Sequence, residues 1–139
     1  QRRPGVFVTG RFEVGASADL RALHRIPWLP PPEGDLHEHE YRVEVVIERA
    51  TLDERGMVID LDVVEAALRD AVSAIDGKDL DSIRPPEAEA VTVEILARWF
   101  HQRLADAIAA AGGEALTVRV WESPTAFGGY RAGVPTSSA

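Results

Sequence analysis

The histidines and acidic residues between positions 33 and 39 are the first candidates for chemistry in this sequence. His37 and His39 are two residues apart, and in a β-strand this spacing places both side chains on one face. Two such imidazoles can bind one metal ion, although a stable zinc site usually has three or four protein ligands, and an isolated pair is more typical of a protein surface. Glu33 lies four residues before His37 in a proline-rich segment, where a carboxylate could act as a general base.

Two further acidic residues are candidates. Asp76 ends a helical segment beside Lys78, Asp79 and Asp81, and such clusters of charge at a helix end are usually solvated surface. Glu122 follows a strand, where its carboxylate could accept two hydrogen bonds from a planar, amidine-like edge of a ligand. Glu122 is therefore a candidate for the recognition of a nitrogen heterocycle.

The elements that must position these residues begin and end with strands. Alternation of apolar and polar residues predicts two strands over residues 6–16 and 41–47, and two more over 116–121 and 130–134. The prolines within residues 22–35 exclude a helix or a central strand there, so this segment is predicted to be an ordered loop or lid.

Two helices are predicted between the strand pairs. Asp62 and Glu65 resemble a capping box at the start of the first helix, and Gly77 is placed to end it. Thr92 can cap the second helix, which ends at Gly112. Each helix has an apolar stripe that a sheet must cover.

The order ββααββ predicts one α+β domain over residues 1–139. We expect a four-stranded antiparallel sheet with two helices on one face, and a flexible tail over residues 135–139. The edges of the predicted strands 6–16 and 41–47 are too apolar to remain open, so an oligomer is expected.

The composition limits the class of function. The chain has 139 residues, of which 45% are hydrophobic, and no cysteine, which excludes disulfides, cysteine-bound zinc and a thiolate nucleophile. The formal net charge of −8 disfavours binding to nucleic acid or to an anionic membrane. No apolar run approaches the roughly 20 residues of a transmembrane helix. We therefore expect a cytoplasmic protein with a small-molecule partner.

Six strings of residues, in order, resemble motifs of the 6-pyruvoyl tetrahydropterin synthase and 6-carboxytetrahydropterin synthase family, and together they cover nearly the whole chain. Residues 12–20 resemble Phe-x-Phe-x-Ala-Ala/Ser-His-x-Leu, 36–41 resemble Leu-His-Gly-His-x-Tyr, and 56–61 resemble Gly-Met-Val-x-Asp-Phe. Leu80 follows the position of Leu-Asp-His at the end of the first helix. Residues 91–97 resemble Pro-Thr-x-Glu-Asn-Leu-Ala, and 120–123 resemble Val-x-Glu-Thr.

The resemblance implies a fold, an assembly and a site. It implies the tunnelling fold, in which subunits form barrel-shaped trimers and often a hexamer of two trimers. It further implies that three histidines hold a zinc ion that polarises the substrate side chain. A cysteine then takes a proton with the help of an Asp-His pair, and a glutamate after the third strand anchors the pterin ring.

The resemblance retains the ring-binding residues and two metal ligands. It assigns the pterin anchor to Glu122 and a place near the ring to Thr92, and it assigns two zinc ligands to His37 and His39. The position of the third ligand falls at Ala18. We therefore expect no metal, or weakly bound zinc from a degenerate site.

A neighbouring residue could restore the third ligand. Asp19 is adjacent to Ala18, but it faces the other side of the sheet unless a bulge turns it. His24 lies further along the chain and could reach back.

The proton-transfer residues differ from the family pattern. Glu33 occupies the position of the cysteine, and Gly77 follows the retained Asp76 in place of the histidine. The pattern with glutamate resembles one branch of the family, which cleaves the side chain of dihydroneopterin and leaves a hydroxymethyl pterin. Partial burial of Glu33 under the proline-rich loop would raise its pKa toward neutrality.

These observations predict a diverged carbon–oxygen or carbon–carbon lyase that acts on a pterin or a related heterocycle, with Glu33 and Asp76 as catalytic residues. Two alternatives remain open. One is a homologue that binds a heterocycle without catalysis. The other is a metal-independent dehydratase or cyclase of specialised metabolism that acts on a different substrate. The homo-oligomer is expected to be a trimer or a hexamer.

Overall fold

The computed structural model describes residues 10–135, which contain four strands and two α-helices. The elements are β1 (Phe12–His24), β2 (His37–Arg49), α1 (Leu61–Ile75), α2 (Val93–Ala110), β3 (Ala115–Ser123) and β4 (Ala126–Gly133), with a short 3₁₀ helix at Leu80–Ile83 before α2. The strands form one antiparallel sheet in the order β1-β2-β3-β4. The predicted α+β class and the ββααββ order are confirmed.

The first hairpin is longer than the sequence pattern indicated. Of the predicted first strand, residues 6–9 lie outside the described residues, and β1 continues beyond position 16 to His24. The placement of residues 22–24 in a loop was therefore wrong. The strand continues because His24 pairs with His37 on β2. On the outer edge of β1, the backbone N–H of Leu23 donates a hydrogen bond to the Lys78 carbonyl at 2.9 Å.

The helix ends follow local capping chemistry. The Asp60 carboxylate accepts a hydrogen bond from the Asp62 backbone N–H at 2.9 Å, so the cap of α1 lies two residues before the predicted cap at Asp62. Gly77 follows α1 with a φ of +74°, a backbone conformation that favours glycine. Thr92 caps α2 as predicted, because its Oγ1 accepts a hydrogen bond from the Ile95 N–H at 3.2 Å.

The core lies between the sheet and the helices. Val43, Val45 and Ile47 of β2 are buried on the face that the helices cover, together with Phe100 and Leu104 of α2. Each such side chain contributes roughly 1.5–3 kcal/mol of burial free energy. The same face of β2 continues toward the start of the strand with Tyr41, His39 and His37, because alternate residues share a face. The row of core residues thus leads into a row of polar residues.

The outer strands β1 and β4 are hydrogen-bonded to a neighbouring strand on one side only. Residues 77–79 cover part of the outer edge of β1 through backbone hydrogen bonds to Arg21 and Leu23. A homotrimer or homohexamer, in which these edges would pair between subunits, stays a prediction. In residues 10–135 no helix has the length and apolarity needed to cross a membrane. Residues 136–139 of the predicted tail lie outside the described residues.

Candidate functional site

Three histidines cluster at the end of the β1–β2 hairpin. His24 pairs directly with His37, and Ala22 pairs with His39, so the imidazoles lie on one face. The ring centroid of His24 is 5.4 Å from that of His37 and 5.8 Å from that of His39, and the last two are 6.0 Å apart. Imidazoles that share one tetrahedral zinc ion have centroids about 5 Å apart. Small side-chain rotations would therefore bring the three rings onto one ion.

Backbone carbonyls orient two of these rings. His37 Nδ1 lies 2.8 Å from the Asp35 carbonyl, and His39 Nδ1 lies 2.8 Å from the Glu40 carbonyl. A carbonyl oxygen can only accept, so each Nδ1 carries the proton and donates it. Each Nε2 is then the nitrogen with a free lone pair, as in metal-binding histidines whose second nitrogen donates to a carbonyl.

His24 is held in the neutral form that binds metals. Burial, followed by the charges of His39 and His37, lowers the pKa of His24 to about 4. His24 is therefore neutral at neutral pH, and the chemistry of a donor set of three imidazoles fits zinc. Their nitrogens do not yet converge on one point, since no group of three His, Cys, Asp or Glu within residues 10–135 is close enough to hold an ion as it stands.

Ala18, where the sequence comparison placed the third ligand, lies elsewhere. It pairs with Val43, four residues along β2 from His39 and therefore roughly 13 Å away, and it packs against the core. That placement of the third ligand was wrong, and the alternative His24 is the residue beside the pair. Shifted by six residues, the same first-strand motif matches Ala22 and His24 and ends at Ile26.

The expectation of absent or weakly bound zinc rested on Ala18 as the position of the third ligand. Because His24 lies beside His37 and His39 instead, that expectation has lost its basis. The first-strand motif, shifted by six residues, was the feature of the sequence that could have identified His24. It was missed because the first strand was predicted to end at residue 16, well before His24.

A cleft of about 710 Å³ adjoins the histidine cluster. Tyr41, Asp76 and Glu122 line it, together with residues 19–21, 40, 42, 121, 123 and 124. The ring of Tyr41 stacks on that of His39, with centroids 4.4 Å apart and planes 18° from parallel. Burial, and then the negative charge of Glu122, raises the pKa of the Tyr41 phenol. Tyr41 thus connects the predicted ring anchor to the predicted metal ligands.

Comparisons with known proteins identify the family of this chain. The family model described as 6-pyruvoyl tetrahydropterin synthase matches residues 13–133. This chain belongs to that family. It is 31% identical over 120 residues to the 6-carboxy-5,6,7,8-tetrahydropterin synthase of Aquifex aeolicus, a match that covers 70% of this chain and 74% of the relative. A putative enzyme of the same name from Pyrococcus horikoshii is 32% identical over 114 residues, with 66% and 71% covered.

Solved structures of the family share the fold of this chain. The 6-pyruvoyl tetrahydropterin synthase of Caenorhabditis elegans superposes with a TM-score of 0.68 at 18% identity, and covers 91% of this chain and 99% of its own. A Plasmodium vivax 6-pyruvoyltetrahydropterin synthase, with a catalytic glutamate replaced by cysteine, superposes with a TM-score of 0.71 at 15% identity and covers 90% and 99%. At these identities the likeness shows the tunnelling fold.

The family's Asp-His pair is reduced to Asp76 in this chain. Asp76 lines the cleft, but its Oδ1 accepts a hydrogen bond from the Arg21 backbone N–H at 3.0 Å. The Gly77 N–H donates to the Arg21 carbonyl at 2.6 Å, and its positive φ suits a residue without a β-carbon. The carboxylate of Asp76 therefore has a structural partner, and its catalytic role stays a prediction.

Glu33 is tied to the end of β1 through its backbone. Its carbonyl accepts a hydrogen bond from the Ile26 N–H at 2.9 Å, which holds it two residues beyond His24. The side chain is exposed in the single chain, so the partial burial expected for it is absent. Glu33 does not line the cleft that contains Glu122.

Thr92 lies in another cleft, with Trp28, Ile95 and Arg98, and its hydroxyl caps α2. Within one chain the structure therefore does not bring Thr92 and Glu122 together.

Proposed function

We propose that this chain is a zinc-dependent lyase of the 6-pyruvoyl tetrahydropterin synthase family that cleaves the side chain of a reduced pterin, with Glu33 as the base. The observation that supports it best is the clustering of His24 with His37 and His39 beside Tyr41, which lines the cleft that contains Glu122. These residues provide a complete set of three imidazoles where the sequence indicated two.

Glu122 has the chemistry to bind the pterin ring. An ionised carboxylate can accept hydrogen bonds from a ring N–H and from the exocyclic amine beside it. Tyr41 lines the same cleft as Glu122, and its ring stacks on that of His39, so Tyr41 links the ring anchor to the histidines. A bicyclic ring seated at Glu122 would thus extend its substituent toward the histidines.

Glu33 is proposed as the base because it occupies the cysteine position and lies close along the backbone to both ends of the hairpin. The Plasmodium vivax relatives support a carboxylate in this chemistry, because two of their solved variants replace a catalytic glutamate, one by cysteine and one by alanine. Zinc, when bound, would polarise the side-chain oxygens of the substrate.

The proposed reaction is a carbon–carbon cleavage. Glu33 would remove the proton from the hydroxyl on the second carbon of the side chain. The bond to the first carbon then breaks, a small aldehyde leaves, and the first carbon is protonated to give a hydroxymethyl pterin. This scheme needs no cysteine, in agreement with the composition.

The exposure of Glu33 and Glu122 in the single chain is the reason to propose a closed assembly. A base and a ring anchor that face solvent would lose much of their effect to screening and to competition from water. A homotrimer or homohexamer whose neighbouring subunits cover these residues would remove that water. Light scattering or native mass spectrometry would test the assembly, and a stable monomer at micromolar concentration would contradict it.

The function can be tested by incubating the zinc-loaded protein with dihydroneopterin or with its triphosphate, and by separating the products by chromatography with fluorescence detection. We expect a hydroxymethyl pterin from the unmodified chain. Glu33→Gln should lower turnover by about 100-fold or more and leave pterin binding intact. The control Glu54→Gln changes an exposed glutamate between β2 and α1 that lines neither the cleft of Glu122 nor that of Thr92, and should keep full turnover.

One observation favours a second candidate, a heterocycle-binding homologue without catalysis. Gly77 has replaced the histidine of the Asp-His pair, and the Asp76 carboxylate accepts a hydrogen bond from backbone. If the zinc-loaded protein binds pterins and forms no product from either substrate, the binding function replaces the lyase.

A further inference from the structure

Tyr41 lies between the proposed metal ligands and the proposed ring anchor, and neither proposal gives it a task. Only 4% of its surface is exposed, and it lines the cleft. It packs flat on His39, and its ring meets that of His24 edge to face at a centroid distance of 6.2 Å. One side of Tyr41 is therefore committed to the histidine cluster.

The stacked ring restricts the rotation of the His39 imidazole. The Nδ1 hydrogen bond to the Glu40 carbonyl fixes one atom of that imidazole, and the flat contact with Tyr41 fixes its plane. Together they determine where the lone pair of Nε2 points. Contacts that orient a ligand in this way commonly change metal affinity by about 10-fold to 100-fold when they are removed.

The hydroxyl of Tyr41 has a separate property. In the described part of the chain, the only buried side-chain polar atom without a hydrogen-bond partner is the indole nitrogen of Trp121, so the Tyr41 hydroxyl is not sealed in the core. Tyr41 lines the same cleft as Glu122. A phenol hydroxyl is an ordinary hydrogen-bond donor near neutral pH.

We propose that Tyr41 is a positioning residue with two separable parts, in which the ring orients His39 for metal binding and the hydroxyl donates a hydrogen bond to the heterocycle seated at Glu122. This inference rests on the proposed function, since it assumes a metal at the histidines and a ring in the cleft. It goes further by assigning the link between them to one side chain.

Two variants separate the parts. Tyr41→Phe retains the ring and removes the hydroxyl, whereas Tyr41→Leu removes both and preserves an apolar side chain. Metal affinity is measured by titration with Co²⁺, whose visible absorption reports tetrahedral coordination. Ring affinity is measured by calorimetric titration with neopterin on the metal-free protein, which keeps the two readouts independent.

We expect Tyr41→Phe to bind Co²⁺ within about 2-fold of the unmodified chain and neopterin about 5-fold to 10-fold more weakly, the effect of one lost hydrogen bond. Tyr41→Leu should bind Co²⁺ at least about 10-fold more weakly and change the shape of the absorption band. Tyr130→Phe is the matched control. Tyr130 is the second tyrosine, and it packs against His101 rather than in the cleft, so both affinities should be unchanged.

Circular dichroism and a thermal melt verify that each variant is folded. If the Tyr41→Leu variant is unfolded in the absence of metal, the Tyr41→Met variant takes its place. The same loss of Co²⁺ affinity is expected for it. Unchanged Co²⁺ affinity in a folded Leu or Met variant overturns the role of the ring, and unchanged neopterin affinity in Tyr41→Phe overturns the role of the hydroxyl. An unmodified chain without a Co²⁺ band overturns the metal site and the role of the ring together. One that does not bind neopterin likewise overturns the ring anchor and the role of the hydroxyl.

Discussion

The two halves of β2 use one face of the same strand for different purposes. From Val43 to Ile47 this face is apolar, lies beneath the helices and is almost fully buried. From His37 to Tyr41 the same face carries two imidazoles and a phenol, and borders an open cleft. The alternation of the strand does not change between the halves, so the difference arises from which residues occupy the inward positions and from what covers them.

The comparison teaches how the site is held. The buried half is stabilised by its contacts with β3 and the helices, and it holds the register of the hairpin. The same register continues through the open half, and it places His24 opposite His37 without any contribution from a metal. Changes in the buried half should therefore affect stability most, and changes of the histidines in the open half should affect ligand binding most.

The largest expected effect is on the buried half. Val45→Asn places an unpaired amide in the core, and we expect it to lower the free energy of unfolding by about 3 kcal/mol or more. Val46→Asn is the matched control on the opposite, half-exposed face, and should cost about 1 kcal/mol or less. Urea denaturation followed by circular dichroism measures both. Equal losses for the two variants would contradict the division between the faces.

The next effect concerns the open half. His24→Ala should weaken Co²⁺ or Zn²⁺ binding by about 100-fold or more, because it removes one of three imidazoles, and should change the stability of the metal-free protein by about 1 kcal/mol or less. Ala18→His should not raise metal affinity, since position 18 faces the core opposite Val43. Metal titration of both variants decides between the two positions. A gain of affinity in Ala18→His, with no loss in His24→Ala, would restore the original placement.

Glu122→Gln should have a smaller effect, confined to the heterocycle. The amide retains the shape of the side chain but replaces one acceptor with a donor, so neopterin binding should weaken by about 30-fold, or roughly 2 kcal/mol. Glu13→Gln, an exposed change on β1 away from the cleft, should leave binding unchanged. Calorimetric titration measures both. Unchanged affinity in Glu122→Gln would mean that the cleft holds the ring by other groups.

The smallest effect is expected far from the site, at the other end of β2. Glu48 accepts two hydrogen bonds from Arg131, at 2.9 Å and 3.1 Å, and these lower the pKa of its carboxyl. The stabilisation is therefore present above the unfolded pKa of about 4.3 and is lost as the pH falls through the lower folded pKa. The difference in melting temperature between the unmodified chain and Glu48→Gln should decrease between pH 7 and pH 3. A constant difference would contradict the role of the ion pair.

The extent to which the site could be predicted differs between its residues. The spacing of His37 and His39 was sufficient to place both on one face, because strand alternation is a local property. Glu122 was expected directly after its strand, and it lies within the last two residues of β3. The position of His24 beside the other two histidines could not be derived from local pattern. The length of β1 depends on pairing with β2 and with the segment after α1, and both are distant in sequence.

The sequence by itself determined the α+β class, the order of the elements, the cap at Thr92 and the two histidines of β2, since each follows from periodicity or from capping within a few residues. The tertiary structure alone decided that His24 completes the cluster, that Ala18 belongs to the core and that Tyr41 joins His39 to the cleft with Glu122. The physical reason is the register of the hairpin. A strand pattern fixes which face a side chain takes, but only the hydrogen bonds between strands fix which residue it faces.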